Sequence, residues 1–356
     1  FPKFSDVGRD VSLSIMACIY GAHMEQLVSF QADDDNAFQN TVTDGSDGDQ
    51  PGPVMYSYQA PDFERRDDKG EVLPIVYKHR TAFQGRIDSP RLYGNKVRPL
   101  LVDKSKWEPL LYDPEAYVYH ESSLRGKVCT LAEILNAVHD TKEDSPPGHA
   151  PVGWGMVVRH VDDRVMIVTS KRVADFTQDN VRTVFATKLT GWKKVLGWDG
   201  IVDREARTVC FEAPSVLEAA KVKYLQGSTL AKNKHIMIPS IMHLSEGVAP
   251  PPGDPDYDKF ITMQRDARSL LGLAIWLSSR YKQMLFVTRT IGQFAHNQSW
   301  EGYRALLFML MHMVHHPYAT VYGGENCRSL EVSCPIKQPY AGGGQEFGMY
   351  YCSDSN

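Results

Sequence analysis

The chain has 356 residues, of which 42% are hydrophobic and 23% are charged, a composition that is ordinary for a globular protein. Its 39 basic and 43 acidic residues give a formal net charge of −4, which argues against a protein that is drawn to nucleic acid by bulk charge. At this length we expect a large buried core and more than one subdomain.

The first predicted elements are a helix and a strand that ends in carboxylates. Residues 11–20 have a helical pattern, and the short apolar stretch Leu27–Phe30 reads as a strand leading into Asp33, Asp34 and Asp35. A strand of this kind can lie beside another acidic element. The alternative is an acidic loop, because more aspartates follow shortly afterwards.

A basic strip follows between residues 78 and 106. It holds eight basic and two acidic residues. A solvated helix face would produce the same pattern. A surface that contacts a nucleic-acid backbone would produce it as well.

A tight β-hairpin is predicted around Asp162 and Asp163. Two β-rich runs, Gly155–His160 and Arg164–Val168, flank this acidic pair. Adjacent like charges repel, and a divalent cation is the usual reason to hold them close; carboxylate oxygens suit Mg²⁺ or Mn²⁺. Two-metal phosphoryl transfer needs one more carboxylate from elsewhere in the chain, which the upstream acids would supply. The alternative is a solvated turn, because Asp is a common turn former.

The downstream part is predicted to be mainly helical. Pro214–Leu225 is predicted to be an amphipathic helix, and a proline-rich linker covers residues 248–255. Phe260–Ser279 and Trp300–His315 read as helices, with a strand-like segment, Met284–Arg289, between them.

Cysteine usage and apolar segments bear on the compartment. The six cysteines form no Cys-x-x-Cys pair, which argues against a structural zinc site, and several lie in apolar runs, as in proteins of a reducing compartment. The chain opens without the apolar segment of a signal peptide, and its longest apolar stretch, Ala305–Val314, is too short to span a bilayer. We therefore expect an intracellular protein, cytoplasmic or nuclear, that is not secreted and has no membrane partner.

Several segments together resemble copia-type retrotransposon reverse transcriptases. Gln31–Asn40 is similar to the family's Gln-x-Asp-Val-Lys-Thr-Ala-Phe-Leu-Asn segment, and His160–Asp163 is similar to its Tyr-Val-Asp-Asp box. Thr81–Arg91 resembles the Leu-Tyr-Gly-Leu-Lys-Gln-Ala-Pro-Arg segment. Further segments also match in the family's order: Leu111–Val118, Val195–Trp198, Ser269–Leu273, Tyr303–Leu307 and Tyr351–Asn356. The resemblance covers essentially the whole chain, and the shared order is more specific than any single segment.

The resemblance implies an RNA-directed DNA polymerase and names its site residues. Asp33, Asp162 and Asp163 would be the catalytic residues and would hold two Mg²⁺ or Mn²⁺ ions. Asp34 and Asp35 stand at the family's Val-Lys positions. The residues that would contact the substrate are Phe38, Gln84, Gly85, Arg86, Arg91 and His160. The partners would be an RNA or DNA template-primer, dNTPs and other domains derived from the same polyprotein.

For the fold, the resemblance implies an α+β protein with alternating α and β segments. Residues 1–235 would form a reverse-transcriptase-like palm with partial fingers. A mainly helical thumb and connection region would cover residues 236–345, and residues 346–356 would be the truncated start of a ribonuclease H-like domain. The chain would then be a fragment, a processed product or a degenerate copy.

Two other hypotheses stay open. One is a catalytically inactive, retrotransposon-derived protein with a structural or nucleic-acid-binding role. Incomplete fingers, incomplete ribonuclease H, His160 in place of Tyr and Asp88 in place of Gln favour it. The other is an unrelated metal-dependent nuclease, which would share the carboxylates but would leave the order of the other segments unexplained. Calorimetry with Mg²⁺ or Mn²⁺ discriminates, because an inactive relic needs no metal at the acidic centre.

Overall fold

The computed structural model describes residues 4–41, 55–58, 64–81, 89–111, 113–121, 128–139, 149–195, 197–226, 244–317, 319–323 and 333–335. The fold is mixed α and β, as the sequence predicts. The chain divides into two compact units: unit 1 is Phe1–Trp192 with Glu325–Asn356, and unit 2 is Lys193–Gly324. Over the described ranges, no helix combines the length and apolar character needed to cross a bilayer. The domain boundaries inferred from the resemblance stay a prediction.

Unit 1 alternates helices with short strands. A π-helical turn, Leu100–Lys104, extends its second helix. The elements of unit 1 are α1 (Phe4–Ala22), β1 (Val28–Asp34), β2 (Met55–Tyr58), β3 (Val76–His79), α2 (Ser89–Pro99), β4 (Trp107–Pro109), β5 (Ala116–Glu121), β6 (Val128–Thr130), α3 (Leu131–His139), β7 (Gly153–His160), β8 (Asp163–Val168), α4 (Lys171–Arg182), β9 (Thr187–Thr190) and, near the carboxyl end, β14 (Ser333–Pro335).

The sheet of unit 1 places the two acidic segments side by side. Its strand order is β4-β5-β7-β8-β1-β9, and the neighbouring strands are antiparallel. Strand β1 therefore lies between β8, the second strand of the predicted hairpin, and β9. The prediction that an upstream strand ending in carboxylates can lie beside another acidic element is confirmed, as is the hairpin itself.

The central strands are buried on both faces. Residues Gly153–Arg159 of β7 and Arg164–Val168 of β8 are all buried, and apart from the two arginines they are apolar or glycine, as expected of strands that are covered on both faces. One face packs against α2, the π-helical turn and α4, and the indole Nε1 of Trp107 donates to Thr177 Oγ1 of α4 at 2.8 Å. Helices α1 and α3 contact β7 as well. Within β7 and β8, His160 and Asp163 at the hairpin end are partly exposed to solvent.

Helix α1 forms where the sequence predicts a helical pattern. Its buried positions include Leu13, Met16, Ala17 and Tyr20, which recur every three or four residues and so line one side of the helix. The edge of the Tyr20 ring packs on Trp192, and the Trp192 indole donates to the backbone oxygen of Phe30 at 2.9 Å. These contacts secure the start of β1, which carries the first acidic segment.

Unit 2 combines an antiparallel sheet with four described helices. The sheet order is β10-β11-β12-β13. The elements are β10 (Lys194–Val195), β11 (Trp198–Asp203), β12 (Thr208–Glu212), α5 (Pro214–Leu225), α6 (Tyr257–Ser278), α7 (Leu285–Gly292), α8 (Trp300–His315) and β13 (Val321–Gly323). The predicted helices at α5 and α8 have the observed bounds, and α6 begins three residues before its predicted start.

The strand predicted over Met284–Arg289 is wrong. A 3₁₀ turn, Lys282–Met284, leads directly into helix α7. The buried positions Met284, Val287 and Ile291 are spaced by three and four residues, which is a helical period. A short, continuous apolar run cannot be assigned to strand or helix from its composition alone, and here the packing of unit 2 decides for the helix.

Candidate active site

The hairpin between β7 and β8 has a turn of two residues. His160 pairs with Asp163, so Val161 and Asp162 form the turn and Asp163 is already the first residue of β8. Val161 has a φ of +53°, a region that β-branched residues rarely occupy. Asp162 does not share this positive φ, and a positive φ at the first turn residue alone is the pattern of type II′ hairpin turns, where glycine is usual. The turn therefore holds about 1–3 kcal/mol of backbone strain at the tip of the acidic hairpin.

Strand β1 brings the third carboxylate to this turn. Asp33 pairs directly with Asp163 across β1 and β8. The backbone N–H of the next residue, Asp34, donates to the backbone oxygen of Asp162 at 3.3 Å. Asp33, which is far from Asp162 and Asp163 in the sequence, thus lies beside them on the backbone at one end of the central strands, an end that we call the acidic edge.

The carboxylates at the acidic edge lie close enough together to raise one another's pKa. The pKa of Asp163 is raised to about 6, first by burial and then by the neighbouring charges of Asp162 and Asp33, while a hydrogen bond from the Gln31 side chain opposes the rise. The pKa of Asp33 is also raised, first by partial desolvation of its carboxyl and then by Asp162, and the guanidinium of Arg164 opposes this. The acids therefore repel one another, and a cation among them would relieve the repulsion.

A polar row crosses four strands at this edge. Lys188 of β9 pairs with Asp33, Asp33 with Asp163, and Asp163 with His160. Cross-strand partners share a face of the sheet, so the four side chains lie on the same face. Sequence reasoning missed Lys188, because its place in the row depends on the strand order and no local motif marks it.

The other predicted substrate residues have different outcomes. Arg91 lies exposed in the first turn of α2. Phe38 follows β1, is half-buried, and meets Tyr93 edge to face with 6.3 Å between the ring centroids. The segment Gln84–Arg86 lies outside the described residues. The roles of all these residues in binding a substrate stay predictions.

A buried ion pair lies on the opposite face of the same two strands. Asp34 Oδ1 is 2.5 Å from Arg164 Nη2, and both side chains are fully buried. The hydroxyl of Tyr93 donates to Asp34 Oδ2. Thr187 Oγ1 accepts from Arg164 Nη2 at 3.1 Å, and Gln178 Oε1 accepts from it at 3.4 Å. Asp34, which departs from the family pattern, is therefore a structural ion-pair partner rather than a part of the acidic edge.

The acidic edge fits a divalent cation in the chemistry of its donors. Asp33, Asp162 and Asp163 offer hard carboxylate oxygens, the ligands that Mg²⁺ and Mn²⁺ prefer. Within the described ranges, however, no three His, Cys, Asp or Glu side chains are already grouped as a metal-holding set. The backbone arrangement thus supplies the donors, and closure of the side chains around an ion would have to accompany binding.

Comparison with known proteins gives no family. The chain matches no protein-family profile and no curated protein. Among solved structures it is similar to telomerase from Candida albicans, determined in complex with a TWJ fragment of telomeric RNA, at 10% sequence identity and a TM-score of 0.29. The alignment covers 87% of this chain, which spans half the length of that telomerase chain. A TM-score of this size supports no argument about fold or function, so the site rests on its own geometry.

Proposed function

We propose that the chain is a template-directed nucleotidyltransferase with a reverse-transcriptase-like palm, of the copia retrotransposon type. The observation that carries the proposal is the pairing of Asp33 with Asp163 beside the Asp162 turn. The ordered resemblance of several segments to that family supports it, as does the antiparallel sheet with helices packed upon it. Template-primer and dNTPs would be the substrates.

The acidic residues of the chain would act by holding metal ions in place. Asp33, Asp162 and Asp163 would hold two Mg²⁺ or Mn²⁺ ions, which when bound would lower the pKa of the primer 3′-hydroxyl and offset charge on the transferred phosphate. The primer 3′-oxygen would attack the α-phosphorus in line, and pyrophosphate would leave. The hairpin turn and the β1–β8 pairing would keep the carboxylates in register during this step. Arg91 and Phe38 would contact the incoming nucleotide.

Primer extension tests the proposal. Asp162→Asn keeps the shape of the side chain and removes its charge, so we expect extension on an RNA template to fall by at least about a thousandfold. Asp175→Asn is the matched control, because Asp175 is an exposed residue of α4 in the same unit, paired with Lys171 at 2.7 Å. Undiminished extension by Asp162→Asn, with both variants folded, would contradict the proposal.

An inactive, nucleic-acid-binding derivative is the second candidate. The observations in its favour are His160 and Asp88, which stand where the resembled family has Tyr and Gln. Such a protein would bind template-primer equally well with Mg²⁺ or with a chelator present, and it would add no nucleotide. Filter binding and extension measured on the same preparation separate the two candidates.

A further inference from the structure

A buried cluster joins helix α2 to the strands that carry the acidic edge. Its members are Tyr93, Asp34, Arg164 and Arg159. Tyr93 is fully buried; its hydroxyl donates to Asp34, and the guanidinium of Arg159 lies over its ring, 5.5 Å from the centroid. Gly94 of the helix lies against the same guanidinium, since a Cβ on Gly94 would lie 2.9 Å from Arg159 Nη2. Polar contacts of this kind fix a helix more specifically than apolar packing alone.

The buried cluster is one residue away from the acidic edge on each strand. Asp34 follows Asp33 on β1, and Arg164 follows Asp163 on β8. Alternation along a strand places the ion pair and the two carboxylates on opposite faces of the sheet. The ion pair therefore fixes the two strands directly behind Asp33 and Asp163, and the Tyr93 hydroxyl attaches α2 to that fixed point.

Tyr93 also lies next to the residues that the proposed function assigns to the nucleotide. Its ring is in edge-to-face contact with Phe38, and Arg91 lies two residues before it on α2. The same ring packs on Phe185, with 5.1 Å between the ring centroids, so its position within the core is defined on several sides. Tyr93 thus contacts both the Asp34–Arg164 ion pair and Phe38, which is predicted to contact the nucleotide.

We infer that Tyr93 is a positioning residue that sets the distance of Arg91 and Phe38 from Asp33 and Asp163. The inference rests on the proposed function and deepens it, because it assigns nucleotide affinity to the buried cluster and leaves the chemical step to the carboxylates. The hydrogen bond from the Tyr93 hydroxyl to a buried carboxylate is of the charge-assisted, stronger kind. Its loss should loosen α2 without removing any group that would touch the substrate.

Tyr93→Phe tests this inference, because it removes only the hydroxyl. Tyr119→Phe is the matched control: Tyr119 is also fully buried in unit 1, and its hydroxyl donates to the Pro151 backbone oxygen at 2.5 Å. Both variants lose one buried hydrogen bond. Hydrogen exchange of the amides in residues 89–99 reports on α2, and steady-state primer extension gives KM for dNTP and kcat.

We expect exchange in α2 to become at least about fivefold faster in Tyr93→Phe, and KM for dNTP to rise about fivefold to tenfold. We expect kcat to stay within about twofold, and Tyr119→Phe to change neither α2 exchange nor KM. Unchanged α2 exchange in Tyr93→Phe, or a fall in kcat at constant KM, would overturn the inference.

Failure of the proposed function is distinguishable from failure of this inference. A folded wild-type chain that extends no primer contradicts the proposed function. The exchange measurement then decides alone: faster α2 exchange confined to Tyr93→Phe supports the positioning role, and equal exchange in the two variants overturns it.

Discussion

Single residues at the acidic edge, to which the proposed function assigns the chemistry, carry a cost in stability. The pKa of Asp163 is about 6 in the folded chain, above its ordinary value of 3.8. The folded state therefore binds the proton more tightly than the unfolded state. The resulting penalty is absent below about pH 4, grows as the pH rises through about 6, and is fully present at pH 7. A bound cation would cancel it.

Asp163→Asn should stabilise the chain at pH 7 when no divalent cation is present. The neutral amide removes the repulsion, and after allowance for solvent screening we expect a gain of about 1–2 kcal/mol in the free energy of unfolding. Urea denaturation at pH 7 and pH 4 measures it, with Asp175→Asn as the control. An equal effect at both pH values would contradict this electrostatic explanation.

Val161→Asn should also stabilise the chain, for a different reason. Asn tolerates a positive φ far better than a β-branched residue, so relief of the strain at φ +53° should contribute about 0.5–1 kcal/mol. Val161→Ala keeps a Cβ without the branch and should gain less. Thermal unfolding compares the three proteins, and a loss of stability in Val161→Asn would show that packing of the valine methyls outweighs the strain.

At the scale of elements, local signals allowed good predictions and tertiary arrangements did not. The hairpin was predictable because two β-rich runs flank a turn-forming pair, and the start of the helix Pro214–Leu225 because proline is favoured in the first turn of a helix. The helix at Met284–Arg289 was not predictable, because a short apolar run fits a strand as well as a helix. Lys188 and the Asp34–Arg164 pair depend on the strand order β8-β1-β9, which no local stretch of sequence encodes.

Gly155→Ala tests how tightly β7 is packed behind the hairpin. An added Cβ would lie 2.8 Å from Val168 Cγ1 and 3.0 Å from both the Ile167 oxygen and Trp107 Cη2, so strand or indole must shift. We expect a loss of about 1–3 kcal/mol. Gly191→Ala, where a Cβ would meet nothing within 4 Å, is the matched control and should be near neutral. Similar unfolding free energies for the two variants would contradict the described packing.

For the whole molecule, charge limits how nucleic acid can be bound. A net charge of −4 provides no general attraction, so the proposed template-primer binding would have to come from local basic residues such as those on α2, whose last turn carries Lys96 and Arg98. The affinity should therefore be modest and should fall steeply as salt increases.

Arg98→Ala should weaken template-primer binding and reduce the slope of log affinity against log salt by about 0.9, the value for one phosphate contact. Lys171→Ala removes an exposed charge from α4 and should leave the slope unchanged, because Lys171 already pairs with Asp175. Fluorescence anisotropy between low and physiological salt measures both slopes. An identical slope for Arg98→Ala and the wild type would remove Arg98 from the binding surface.

The central claim is that Asp33 and the Asp162–Asp163 turn form one divalent-cation site. Titration calorimetry with Mn²⁺ on the wild-type chain, Asp33→Asn and Asp175→Asn tests it without requiring activity. We predict saturable binding by the wild type and Asp175→Asn, and an affinity at least about tenfold weaker in Asp33→Asn. Equal binding by Asp33→Asn and the wild type, or no binding by either, would contradict the claim.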